Sequence, residues 1–205
     1  MADEDNDTAL IVIDAQRDFC AGGALEVSAD NAFLPKVNAL IAAHPFVILT
    51  QEWHPADHIS FAANHARRKI LDTAEASYGE QILWPAHCAA GTAGAAFHPA
   101  LKTDTARLIL RKGCDRDYDC YSAFFDAGGR PTGLGGFLRD CGFEKLCFCG
   151  LATDFCVAYS ALDAARLGFK ARVALAACQA IDINGSYDRA LKSMQAEGVE
   201  LGLFT

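Results

Sequence analysis

Six short apolar runs punctuate the chain, at 9–13, 46–50, 106–110, 145–149, 171–176 and 199–204. Apolar residues occupy consecutive rather than alternate positions in most of them, so they read as β-strands covered on both faces. The segments between carry the other period. In 32–44, Leu34, Val37, Leu40 and Ile41 recur at helical spacing, and Pro35 is tolerated in a first turn. After Cys156, the residues Val157, Ala161, Leu162, Ala165 and Leu167 fall near one helical face, closed by Gly168. Shorter helices are predicted near 137–141 and 187–197. Only 55–105 lacks clear periodicity, and so long a stretch inside a compact domain usually carries function. This alternation predicts an α/β fold: one open, mostly parallel sheet with helices on both faces. We place that single domain at 9–205, behind an acidic tail at 1–8.

Composition narrows the classes. At 205 residues, 52% hydrophobic and 21% charged, the chain can build one sizeable core without a second domain. Its net charge of -8 argues against nucleic acid or an anionic membrane as a partner. No apolar run approaches the roughly 20 residues of a membrane span. The N-terminal MADEDND is acidic, the opposite of a leader peptide, so a cytoplasmic location is expected. Nine cysteines, none in a Cys-x-x-Cys pair, read mostly as core thiols in a reducing compartment; Cys147 and Cys149 share one apolar run. A homo-oligomer is compatible with this composition.

Two groups of residues carry candidate chemistry. The first is built on Cys156, where the strand ending at Gly150 gives way to a helix. Free N–H groups and the helix dipole favour an anion there, which biases the thiol toward thiolate. A small buried thiol packing a helix start is the ordinary alternative. Asp14 follows the first strand beside apolar Ile13, where a raised carboxyl pKa suits a proton shuttle. Lys112 follows the third strand and offers a fixed charge to a thiolate. Asp14, Glu52, Lys112 and the loop to Cys156 all follow strand carboxyl ends, the edge at which open α/β sheets bind ligands. The second group is Glu52, His54 and His87, a carboxylate and two imidazoles suited to a borderline divalent ion. Glu52 and His54 are two apart and share a side of an extended segment; adjacent Cys88 tends to point away.

These residues lie in seven ordered motifs: VIDAQRDF from Val12, EWHPADHISF from Glu52, WPAHC from Trp84, GTAG from Gly91, RKG from Arg111, YSAF from Tyr121 and GLATDFCV from Gly150. Together they resemble the nicotinamidase/pyrazinamidase branch of the isochorismatase-like cysteine hydrolases, over nearly the whole chain. The resemblance implies a Rossmann-like three-layer fold and an Asp14–Lys112–Cys156 triad that hydrolyses nicotinamide to nicotinate and ammonia. It implies a thioester intermediate in NAD salvage, with pyrazinamide accepted as a ring analogue. It also implies a cis peptide at Leu151–Ala152, with the Ala152 and Cys156 N–H groups as oxyanion hole. One divalent metal is implied, most commonly Zn²⁺ with Mn²⁺ or Fe²⁺ as alternatives, on Glu52, His54 and His87 and holding the pyridine nitrogen. Phe19, Trp84, Tyr121 and Leu151 are expected to wall the ring. His58 matches a histidine that ligates in some members and lines the site in others. Glu52 departs from the family's usual Asp, which places its carboxylate one methylene further out. A carbamoyl-amide or isochorismate-type hydrolase shares the triad, and a metal-binding scaffold is the non-enzymatic alternative.

Overall fold

The structure, a computed structural model, describes residues 7–27 and 29–203. Six parallel strands form the main sheet: β1 (Thr8–Ile13), β2 (Val47–Glu52), β5 (Ala106–Lys112), β6 (Lys145–Leu151), β7 (Lys170–Gln179) and β8 (Glu200–Gly202). Their order across it is β5-β2-β1-β6-β7-β8. The first strand begins at Thr8, inside the stretch assigned to the tail; residues 1–6 of that tail, and Phe204 of the last expected strand, lie outside the described residues.

The apolar runs are strands for the reason their pattern suggests. Every residue of β1 and β2 is buried, and all but the first of β6. β5 departs from this: its burial alternates, with Arg107, Ile109 and Arg111 exposed on a face of the sheet that no helix covers there. Helices α1 (Leu34–Ala43), α2 (Leu134–Asp140), α3 (Ala158–Arg166) and α4 (Ser186–Ala196) match the four helical segments, with bounds shifted by up to three residues. The β1→α1→β2 crossover moves along the sheet one way, and the crossovers carrying α2, α3 and α4 move the other. Right-handed crossovers therefore put α1 on one face and the other three helices on the opposite face. No helix among the described residues is long and apolar enough to cross a membrane.

The 55–105 region holds regular structure that periodicity did not reveal, a 3-10 turn at Ala62–Asn64 and an antiparallel hairpin of β3 (Thr73–Ala76) and β4 (Gly79–Ile82). The hairpin stands apart from the main sheet.

The direction of chain travel reverses between β1 and β6, so the crevice beyond their carboxyl ends is the expected binding place. Their pairing ends at Ile13↔Gly150. Gly150 has φ +113°, and a Cβ there would run into the main chain of Ile13. Only glycine lets the two strands part here into the site. Gly150→Ala is expected to destabilise the fold by about 2–4 kcal/mol, read as a lowered urea midpoint; an unchanged midpoint would contradict this packing.

Candidate active site

Four strand ends converge on the crevice. Asp14 follows β1, Glu52 ends β2, Lys112 ends β5, and the wide π-type turn Thr153–Val157 follows β6. Glu52 and Lys112 are register partners across β2 and β5, which sets their side chains together. Asp14 has φ +47°, a left-handed conformation that Asp tolerates better than most residues. Its N–H donates to Thr50 Oγ1 at 3.1 Å and its Oδ1 accepts from the same hydroxyl at 2.7 Å, so the carboxylate is fixed. The Leu151–Ala152 peptide is cis. The nucleophile candidate sits within the turn ahead of α3, not in its first helical position.

Lys112 is the hub. Its Nζ lies 2.9 Å from Asp14 Oδ2 and donates to Glu52 Oε1 at 2.8 Å, to the Cys120 carbonyl at 2.8 Å and to Cys156 Sγ at 3.5 Å. The Cys156 thiol in turn faces Glu52 Oε1 at 3.6 Å. Asp14, Glu52 and Cys156 bring their reactive atoms within 4.8 Å of one another. The Asp–Lys–Cys arrangement expected from the sequence is thus assembled in space, with all three residues buried.

Burial and charge set the protonation states. Burial raises the Asp14 carboxyl above its usual range, with Lys112 opposing. Burial works against a charge on Glu52 too, but Lys112 and His54 outweigh it and hold that carboxyl well below its usual range. Lys112 stays an ammonium: burial disfavours it, and Asp14, Cys156 and Glu52 more than compensate. The thiolate bias expected for Cys156 is not found. Burial pushes the thiol well up, and Glu52 and Asp14 add to the effect against the pull of Lys112. Desolvation and the two carboxylates here outweigh the one cation.

Beside the triad, Glu52 Oε2 lies 3.0 Å from His54 Nε2 and 3.1 Å from His87 Nε2. The other ring nitrogens are committed: His54 Nδ1 donates to the Gly113 carbonyl at 2.9 Å and His87 Nδ1 to the Pro85 carbonyl at 2.8 Å. Carbonyls only accept, so both imidazoles carry a proton on Nδ1 and turn a lone pair inward from Nε2 when neutral. The three donors converge within 4.8 Å and are buried, a set of two nitrogens and one oxygen that fits a first-row divalent ion. The added methylene of Glu52 does not break the set; it lets one carboxylate face both imidazoles and Lys112. Gly113, at φ +64°, leaves room where a Cβ would meet the His54 ring.

His58 stands behind this set. Its ring stacks on His54 with centroids 4.0 Å apart and planes at 27°, so the in-plane lone pairs of the two rings run alongside rather than converge. Its Nδ1 pairs with Ser60 Oγ at 2.7 Å, and its Nε2 faces the Tyr118 carbonyl at 3.3 Å. With Asp119 and His54 it forms a second buried donor cluster.

A small cleft, nearly filled by its own side chains, opens onto these groups. Phe19, Trp84, His87, Tyr121, Ala152 and Phe155 line it together with Glu52 and Cys156. Three of the four expected wall residues are there. Leu151 is not: its side chain, 1% exposed, is packed in the sheet's core, and Ala152 and Phe155 face the cleft instead. Phe155 adjoins Trp84 and Tyr121 with centroids at 5.2 and 5.6 Å. Leu25, Val27 and Ile181 complete the apolar lining, none of them apparent from spacing. Gln16 is also new. Its side chain donates to the Glu52 carbonyl at 2.8 Å and accepts from the Glu52 N–H at 2.7 Å, which fixes that residue's backbone. Its place inside the VIDAQRDF motif was the available signal.

Fold and site together define an isochorismatase-type hydrolase. The isochorismatase domain matches residues 8–202, and the chain belongs to that family. Within it the chain stands with the nicotinamidases and pyrazinamidases. It is 46% identical to a nicotinamidase of Acinetobacter baylyi, over 95% of this chain and 92% of that protein. Among solved structures it is similar to PnC1 from L. infantum in complex with nicotinate, at TM-score 0.83 and 32% identity over 96% and 92% of the two chains. It is likewise similar to the pyrazinamidase of Pyrococcus horikoshii in complex with zinc, at TM-score 0.77 and 34% identity over 97% and 99%.

Proposed function

We propose that this enzyme, an amidohydrolase of nicotinamidase type, cleaves nicotinamide, and pyrazinamide as a ring analogue, to the acid and ammonia in NAD salvage. The observation that carries the reading is the contact of one carboxylate, Glu52, with both the Asp14–Lys112–Cys156 group and the two inward-facing imidazoles. A metal-binding scaffold has no use for a buried thiol and a second carboxylate at that spot.

The reaction follows from the positions. Asp14 accepts the thiol proton as Cys156 Sγ attacks the amide carbonyl, which answers the high thiol pKa with an adjacent base. The Ala152 and Cys156 N–H groups take the oxyanion. Asp14 then gives its proton to the leaving nitrogen, ammonia departs, and a thioester to Cys156 remains. Asp14 takes a proton from the incoming water, the acid leaves, and that proton returns to the thiolate. Lys112 stays charged throughout and holds Asp14 beside the sulfur. Glu52, His54 and His87 would hold the metal, zinc in our reading, which supplies a Lewis acid for the pyridine nitrogen. Phe19, Trp84, Tyr121 and Phe155 clamp the flat ring so that the amide meets the thiol, which is catalysis by orientation.

Ammonia release from nicotinamide, before and after chelation and with Zn²⁺, Mn²⁺ or Fe²⁺ returned, tests the reading. Activity lost on chelation and restored by one ion is expected. Absence of release under every condition, with a carbamoyl amide or an isochorismate-type ether hydrolysed instead, would overturn it.

Gln16 offers a further check on the metal set. Gln16→Ala frees the Glu52 backbone, and metal affinity is expected to fall about 10–100-fold, as for other outer-shell losses. Competition with a chromogenic chelator measures it; wild-type affinity would contradict the clamp.

A further inference from the structure

The hairpin β3–β4 has no place in the mechanism so far, yet it sends one buried polar side chain toward the cleft. Gln81, on β4, is 3% exposed and Asp119 is 2% exposed. Gln81 Nε2 donates to Asp119 Oδ2 and to the Ile82 carbonyl, both at 2.7 Å, and lies 3.5 Å from the Tyr121 hydroxyl. Gln81 Oε1 accepts from the Tyr78 hydroxyl at 2.8 Å. Two acceptors on one side and a hydroxyl on the other leave a single orientation for this amide. Asp119 Oδ1 accepts from the Cys120 N–H at 2.8 Å, and the Cys120 carbonyl accepts from Lys112 Nζ. Two residues beyond Asp119, the Tyr121 hydroxyl accepts from Trp84 Nε1 at 2.9 Å, and Trp84 itself follows β4 by two residues. Gln81 and Asp119 thus join the two segments that supply the Trp84–Tyr121 wall.

We propose that Gln81 is a positioning residue, which through Asp119 sets the Trp84–Tyr121 wall against which the substrate ring lies. The Gln81–Asp119 bond is a buried hydrogen bond to a carboxylate, the stronger kind, and its loss leaves the carboxylate short of a donor. Of the hairpin's residues, Ala74 packs in a small cluster with Ala62 and Leu83, and Ile82 lies against the Trp84–Phe155 cluster; the Gln81–Asp119 bond is the polar tie that adds direction to these apolar contacts. The inference rests on the proposed function for its substrate, but its geometry is independent of it.

The test uses three variants: Gln81→Met, Gln81→Glu, and the exchange Gln81→Glu with Asp119→Asn. The first removes the donor at similar length, and the second sets two carboxylates face to face. The third restores a hydrogen bond with donor and acceptor reversed. For the first two, KM for nicotinamide and Kd for nicotinate are expected to rise about ten-fold with kcat changed less than about three-fold. The exchange should return KM and Kd part of the way toward wild type, short of full recovery because the Ile82 carbonyl then faces an acceptor in place of its donor. Wild-type KM in both single variants, or a joint loss of kcat and KM that the exchange does not repair, would overturn the proposal. Trp53 and Trp84 are the two tryptophans of the chain. In a Trp53→Phe background, the emission of Trp84 therefore reads the wall without substrate, and a red shift in Gln81→Met is expected. Inactive wild-type enzyme would dismiss the proposed function, whereas an unmoved emission maximum would dismiss the strut.

Discussion

Cys156→Ala is expected to lower ammonia release from nicotinamide on the order of 10⁴-fold or more, while metal and nicotinate still bind. The sulfur touches Lys112 Nζ and Glu52 Oε1 only loosely, at 3.5 and 3.6 Å, and without it Lys112 keeps its hydrogen bonds to Glu52 and the Cys120 carbonyl and its ion pair with Asp14. The remaining site therefore stays organised. Metal content and nicotinate affinity near wild type, beside lost turnover, isolate the chemical step. Turnover close to wild type would remove Cys156 from the nucleophile's role.

Asp14→Asn has the second large effect. In the proposed reaction two proton transfers in each half pass through this carboxyl, so kcat is expected to fall by about 10²–10⁴-fold. The pH dependence carries a sign. Asp14 must be ionised to take the thiol proton, and burial raises its pKa above 3.8. Activity should rise with pH on the acid side, with a midpoint above 3.8, and the residual rate of Asp14→Asn should lose that limb. The same shift acts on stability in the opposite direction. Folded Asp14 keeps a proton that the unfolded chain releases, so its contribution is greatest below 3.8 and declines as pH rises through the folded value. A residual rate in the Asp14→Asn variant that keeps the wild-type acid limb would contradict the proton-shuttle assignment.

Much of this architecture was legible because burial on both faces writes itself into consecutive apolar residues. β1, β2 and β6 could be read directly, and with them the strand ends that carry Asp14, Glu52 and Cys156. The hairpin could not. Its Thr-Ala-Glu-Ala and Gly-Glu-Gln-Ile segments bury one residue each, Ala74 and Gln81, so no alternation survives in the sequence. The pairing of Glu52 with Lys112 is a matter of register between strands 60 residues apart, which no local pattern encodes. Motif order supplied those residues instead.

The thiol's protonation is a different kind of miss. A strand-to-helix junction does favour an anion, but Cys156 lies ahead of α3 in a turn whose residues are all buried. Desolvation there outweighs the one ammonium nearby. Leu151 illustrates a smaller version of the same limit: motif position located the segment, whereas the direction of each side chain depended on how β6 ends. In the proposed mechanism the sulfur therefore relies on Asp14 as its base.

That dependence makes the covalent intermediate the central claim. The most direct measurement is the mass of enzyme quenched in acid during turnover of nicotinamide, followed by mapping of the modified peptide. The account predicts a population heavier by one nicotinoyl group, located on Cys156 and absent from Cys156→Ala. Active enzyme that never carries the acyl group, even at saturating substrate and the shortest quench times, or that carries it on another residue, would contradict the account.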